Sequence, residues 1–286
     1  VDLFVGPSKL IGHYGQYIKH DHPDLIDRYD RKFALKPPTG APHSWKCGFP
    51  IEHHSCTWIG DRAIDFLKQA DDRPFFLQCS FPFPHFPFAP PDPYCYQYEP
   101  DEMVLPRESE GDLAGKPPHV AQAFHSKGAE GPLSDVTDEQ KREVIAHTYG
   151  MIALVDDQVG RLLNELDELG ISENTIVIFC SDHGELLFDH GLLKKGPFLY
   201  EGLVRVPLLM RWPRRLDAGR RIEGLFSLSD LTPTLLSLIG VEGWPGIEGM
   251  DQSNVLQGDD AIERTAALIE YYGGRETFDD GQRLRA

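Results

Sequence analysis

Two short stretches of this chain bring together residue types that could do chemistry. The first is Ser181-Asp182-His183-Gly184-Glu185, followed by Asp189-His190-Gly191 and Lys194-Lys195-Gly196. Asp182 and His183 join a hard carboxylate oxygen to a borderline imidazole nitrogen, a donor pair suited to a divalent cation. Lys194 and Lys195 are cations that could hold an anion beside such a metal. The second stretch is Ser80-Phe81-Pro82-Phe83-Pro84-His85-Phe86-Pro87-Phe88. Prolines at this density close off helix and ladder alike and fix an extended loop, so His85 rides on a stiff support.

Each stretch follows an apolar run that should position it. Residues 175–180 are β-branched and apolar and read as a strand buried on both faces. The Asp-His pair then lies at the strand's carboxyl end, where open α/β sheets present their ligand sites. Residues 74–79 read as a short buried strand leading into the His85 loop, residues 204–210 as another, and residues 266–270 as a last strand candidate. The longest helix opens at Thr137, with Gln140 completing a capping box and Asp138-Glu139 at the positive end of the dipole. Its apolar positions Val144, Thr148, Met151, Val155, Val159, Leu162, Leu166 and Leu169 make one stripe. Gly150 and Gly160 should mark close backbone approach or a bend, and Gly170 the stop. Asp156-Asp157 are adjacent on that helix and point about 100° apart, so they read as structural rather than as a catalytic pair.

Elsewhere the reading is plainer. Ser55 is placed as the N-cap of a helix reaching Ala70, and Thr232-Pro233 opens another closed by Gly240. Residues 94–135 read as a long loop of the kind that forms lids, with His119 and His125 exposed on it. His20-Asp21-His22 and His53-His54 read as solvated surface, and Cys79 and Cys180 as small buried hydrophobes within strands. Strands separated by helical patterns give an α/β class, a three-layer α/β/α sandwich with a largely parallel mixed sheet.

The 286 residues, 41% hydrophobic and 26% charged, have the composition of a globular chain. With 28 Lys plus Arg against 45 Asp plus Glu, a net charge of −17 argues against nucleic acid. It would also repel an anionic substrate, so an anion site needs local help from a metal and from Lys194, Lys195 and Arg205. The five cysteines form no C-x-x-C pair, and the redox compartment stays open. No apolar run approaches the length of about 20 residues that a membrane span requires.

The order strand, SDHGE, DHG, KKGPFLYEG and VRVPLL across residues 171–213 resembles the sulfatase family of the alkaline phosphatase superfamily, and the likeness extends over residues 53–270. That resemblance implies an alkaline phosphatase-like fold and hydrolysis of sulfate monoesters by a metal-dependent formylglycine mechanism. It makes Asp182 and His183 metal ligands, with Ca²⁺ first and Mg²⁺ or Mn²⁺ as alternatives. Lys195, directly before Gly196, would bind a sulfate oxygen, with Lys194 as the alternative because the lysine is doubled. His85, in a His-x-Pro loop, would serve the leaving oxygen, although family members often have Asp where this chain has Phe83. Asp230 resembles the aspartate of the family's DL-x-PTLL segment and serves a helix start.

The family's C-x-P-S-R motif, whose cysteine becomes the nucleophile, does not occur here, nor does its upstream aspartate pair. The nearest string, Val5-Gly6-Pro7-Ser8-Lys9, has valine at the nucleophile position. Residues 1–286 are therefore expected to be one fragment of a sulfatase catalytic domain, without the nucleophile-bearing part and the closing C-terminal subdomain, and inactive alone. The expected partner is a small-molecule or carbohydrate sulfate ester. The resemblance favours a periplasmic or secreted location and leaves the cytoplasm open. Two rivals remain: a phosphate or phosphonate ester hydrolase of the same superfamily, and a non-catalytic binding module that keeps the fold.

Overall fold

The computed structural model describes residues 12–36, 38–106, 114–125, 132–258 and 264–270. The chain divides into two compact units, Val1–Leu169 with Glu185–Phe198 and Gly170–Gly184 with Leu199–Ala286. The string at residues 5–9 lies outside the described residues.

The first unit is built on the long helix that the sequence announces. After α1 (Gly12–Asp21), α2 (Ser55–Gln69) and α3 (Pro118–His125), helix α4 spans Asp138–Glu168. Thr137 Oγ1 accepts from Gln140 N while Gln140 Oε1 accepts from Thr137 N, so the capping box forms. Val144, Thr148, Met151, Val155 and Leu166 bury the stripe. A Cβ on Gly150 would stand 2.5 Å from the Tyr94 carbonyl oxygen, which explains that glycine. At Gly160 nothing lies within 4 Å, so close approach is not its reason. Helix α2 packs on α4, where a Cβ on Gly60 would meet Gln158 Oε1 at 2.5 Å and Arg161 binds Asp61 at 2.6 Å.

Several expectations for this unit are corrected. His54, not Ser55, caps α2, its Nδ1 accepting from Cys56 N at 3.2 Å. Nor is His53-His54 a surface pair: His54 is fully buried among the rings of Tyr29, Phe49 and Phe83, and His53 Nδ1 lies 2.6 Å from the Tyr17 hydroxyl. Residues 94–135 are not one loop, because short 3-10 turns and α3 interrupt them. Residues 74–79 form no strand among the described residues, and Phe76 is 84% exposed. An extended run without a ladder partner has no hydrogen bonds to define it as sheet. What anchors the following loop instead is the pairing of residues 43–47 with residues 88–91: Phe88 N donates to His43 O at 2.7 Å, Trp45 N to Phe88 O at 3.2 Å and Cys47 N to Pro90 O at 3.0 Å. A core of Ala41, Phe88, Val144, Met151, Phe188 and Leu193 seats this loop and the lysine segment on α4.

The second unit holds β1 (Val177–Cys180), α5 (Glu201–Val204), β2 (Leu208–Arg211), α6 (Leu231–Leu238) and α7 (Ser253–Gln257). The two strands pair antiparallel, with Val177 opposite Arg211 and Cys180 opposite Leu208. This pair is the sheet among the described residues, so the parallel part of the expected sandwich is not represented in it. Phe179 and Leu209 are 40% and 61% exposed, and Cys180 is exposed as well. Cys79 of the first unit is only partly buried, so neither strand-run cysteine is the fully buried hydrophobe expected. Residues 264–270 carry no regular structure. Asp230 does more than start a helix: fully buried, it accepts from Ser227 N, Met250 N and Gln252 Nε2 and pairs with Arg264. Burial alone would raise its carboxyl, but those donors outweigh it and hold the group below the ordinary range.

Candidate functional site

In the second unit, the chain leaves β1 into Ser181-Asp182-His183-Gly184. The turn is fixed from outside by α5, because Gly184 N donates to Leu203 O at 2.8 Å and a Cβ on Gly184 would stand 2.0 Å from Gly202 O. Only glycine fits there. From inside, Ser181 Oγ donates to His183 O at 2.7 Å and His183 N to Asp182 Oδ1 at 3.0 Å. His183 Nδ1 lies 2.7 Å from Gly184 O, which makes Nδ1 the protonated nitrogen and leaves the lone pair of the neutral ring on Nε2. Nε2 is 3.7 Å from Asp182 Oδ2, and the carboxylate is 87% exposed. Two donors bound to one divalent ion near a right angle stand about 3–3.8 Å apart, so the pair fits a metal in spacing and tautomer. A carbonyl holding Nδ1 is the outer-shell arrangement that ligating histidines use. Among the described residues no group of three or more His, Cys, Asp or Glu comes together, so Asp182 and His183 stand as a pair.

The first unit holds the other predicted residues, around the ring of Phe86. His85 Nδ1 lies 2.6 Å from Phe86 O, and its ring stacks on Phe86 with centroids 4.4 Å apart and planes at 24°. That bond again places the neutral ring's lone pair on Nε2. His85 is exposed. Lys194 Nζ sits 4.2 Å from the centroid of the same Phe86 ring, a cation–π contact, and Lys195 beside it is exposed. Leu187, Phe188, His190 and Lys194 all have positive φ, at 44°, 72°, 52° and 68°. Left-handed backbone at residues other than glycine costs on the order of 1–3 kcal/mol each and gathers at functional loops. Here buried Phe188, Leu192 and Leu193 and the bonds Leu186 N to Lys194 O and Phe188 N to Leu192 O hold it in place. Helix α3 braces the same segment: a Cβ on Gly191 would touch the Phe124 ring at 2.7 Å, and His119 stacks on Phe198 at 5.8 Å with planes at 13°. His119 is therefore a packed residue, not an exposed loop histidine.

One residue of this cluster was not legible. His43 lies against Phe86 with ring centroids 5.4 Å apart, on left-handed backbone at φ 50°. Nothing in Gly40-Ala41-Pro42-His43-Ser44 signals a site, because the neighbour that gives His43 meaning is forty-three positions away, by subtraction of the two residue numbers.

The Sulfatase family model matches residues 18–241, a span that contains His85, Asp182, His183, Lys194 and Lys195. The chain belongs to the sulfatase family. Among its relatives in that family, an arylsulfatase of Clostridium perfringens is 32% identical over 264 residues, covering 91% of this chain and 51% of the relative. An N-acetylglucosamine-6-O-sulfatase of Bacteroides thetaiotaomicron is 37% identical over 124 residues, covering 42% of this chain and 22% of the relative. The sulfatase chain thus spans at most about half the length of these curated relatives. Its backbone is similar to the crystal structure of the phosphonate monoester hydrolase of Agrobacterium radiobacter, with TM-score 0.81 and 29% identity, over 94% of this chain and 54% of that one. The fold class is the α/β one of the alkaline phosphatase superfamily, as expected.

Proposed function

We propose that the full-length protein hydrolyses sulfate monoesters with the help of a divalent metal, Ca²⁺ first. The observation that carries this reading is the family match running unbroken through the His85 loop, the Asp182-His183 pair and the lysine segment. An arylsulfatase that matches most of the chain, and a relative named for a sulfated sugar, support sulfate over phosphonate and point to a sulfated carbohydrate or aryl ester as substrate. When bound, the metal would lower the charge on an anionic ester and hold it in place. Asp182 and His183 are its ligands in this reading, and the Gly184 turn keeps them at ligating distance. As the imidazolium, His85 would give its Nε2 proton or a hydrogen bond to the leaving oxygen, while Nδ1–H stays tied to Phe86 O. Lys195 binds a sulfate oxygen, and Lys194, held on the Phe86 ring, keeps the local field positive in a chain of net charge −17.

The test compares an aryl sulfate with the matching aryl phosphonate ester as substrates of the full-length protein, alongside metal content. Asp182→Ala should strip the metal, and Lys195→Ala should lower turnover of the sulfate on the order of 10²–10³-fold. Faster turnover of the phosphonate would favour the rival hydrolase. Unchanged metal in Asp182→Ala would remove the ligand assignment, and loss of activity in Lys194→Ala but not Lys195→Ala would exchange the lysines.

A further inference from the structure

We propose that His43 is a further substrate-contacting residue, which donates from its imidazole to an oxygen of the anionic ester beside His85, and that Phe86 is the positioning residue that carries both. This rests on the sulfate ester reading above. Three polar groups surround one half-buried phenyl ring: His85 stacked at 4.4 Å, His43 at 5.4 Å and 53°, and Lys194 Nζ at 4.2 Å. All three come from different parts of the sequence, and a packing role alone does not call for two imidazoles and an ammonium round one ring. Each is also held at a definite place. His85 is tied through Nδ1 to Phe86 O, and Lys194 is fixed on left-handed backbone at φ 68°.

His43 is held most firmly. Its φ of 50° places it where residues other than glycine are uncommon. Its carbonyl accepts from Phe88 N at 2.7 Å, and the next residue, Ser44, is fully buried with its Oγ 2.7 Å from Nδ1 of buried His147 on α4. The buried Ser44–His147 bond thus turns the backbone so that one position earlier an imidazole meets the Phe86 ring. His43, Phe86 and Lys194 are only partly buried and His85 is exposed, so the cluster is open to a ligand. A region of positive local character is also what a strongly acidic chain needs in order to receive an anion.

The experiment uses full-length protein labelled with ¹⁵N at histidine and titrated with inorganic sulfate, followed by kinetics on 4-nitrophenyl sulfate. The imidazole signals of His43 and His85 should move together with one dissociation constant. His43→Ala should raise KM and the inhibition constant of sulfate about tenfold or more while kcat changes by less than about threefold. His43→Asn keeps an N–H donor and tolerates positive φ, so it should recover most of that loss. Phe86→Leu should weaken sulfate binding through both histidines. A His43 signal that stays still while that of His85 moves would overturn the proposal, as would His43→Asn behaving like His43→Ala. The titration needs no variant, so a His43→Ala protein that fails to fold leaves it decisive. If neither ring responds to sulfate and His85→Ala keeps wild-type turnover, the sulfate ester reading falls, and this inference with it.

Discussion

At the scale of single residues, histidine environments carry the consequences. His54 is enclosed by aromatic rings and His147 by α4 and the 43–47 segment, and burial pushes their pKa values down to about 3 and about 4, with Lys46 adding to the effect at His147. Both rings are neutral when folded, whereas in the unfolded chain they take up protons near their ordinary value of 6.5. The unfolded state therefore binds more protons below that pH. Their contribution to stability is complete above about pH 6.5 and is lost as pH falls towards 4, on the order of 2–3 kcal/mol for each ring. Denaturant midpoints measured between pH 7 and 4.5 should fall accordingly. His147→Gln, which removes the titrating ring, should flatten part of that slope, and an unchanged slope would show that other groups dominate. The burial of His54 was not legible, since His-His beside a helix start reads as polar surface and its aromatic cage is assembled from positions 29, 49 and 83. The turns that hold Asp182, His183 and His85 could be read because the elements that orient them lie within a few residues.

At the scale of elements, what could be read was local and what could not depended on partners. Helix α4 announced itself through its cap and stripe, both of which are sequence-adjacent signals. Residues 175–180 read as a strand, but their partner β2 runs antiparallel and leaves Phe179 exposed, because apolar composition states a preference for burial and not what is available to cover it. The turn after β1 is the element on which the proposed metal pair depends. A Cβ added to its glycine would stand 2.0 Å from Gly202 O in α5, so Gly184→Ala has no room without a backbone shift. We expect that variant to lose about 1–3 kcal/mol of stability, typical of overpacking, and to bind divalent metal more weakly as His183 Nε2 and Asp182 Oδ2 move apart. Thermal denaturation with and without added metal would check it. A variant with lowered stability but unaltered metal affinity would show that α5 supports the fold and not the proposed ligand pair.

At the scale of the whole molecule, two opposing features set the behaviour of residues 1–286 in solution. Phe76 is 84% exposed on a run that has no ladder partner among the described residues, and Leu209 is 61% exposed on a strand of a two-stranded pair. Extended apolar segments with unpaired backbone are templates for edge-to-edge association. A net charge of −17 opposes it, since every copy repels every other. That repulsion is screened over about 10 Å at 0.1 M salt, whereas apolar burial is not weakened by salt. Association of this chain should therefore rise as salt is raised from about 0.02 to about 0.3 M, the reverse of what ion-pair-driven association would do. Light scattering of the isolated chain across that range is the measurement. Phe76→Thr with Leu209→Thr, which keeps β preference and removes the apolar side chains, should hold the chain monomeric at the higher salt. A wild-type chain that stays monomeric throughout, or a double variant that associates as readily, would mean that these two surfaces are not what the charge is holding apart.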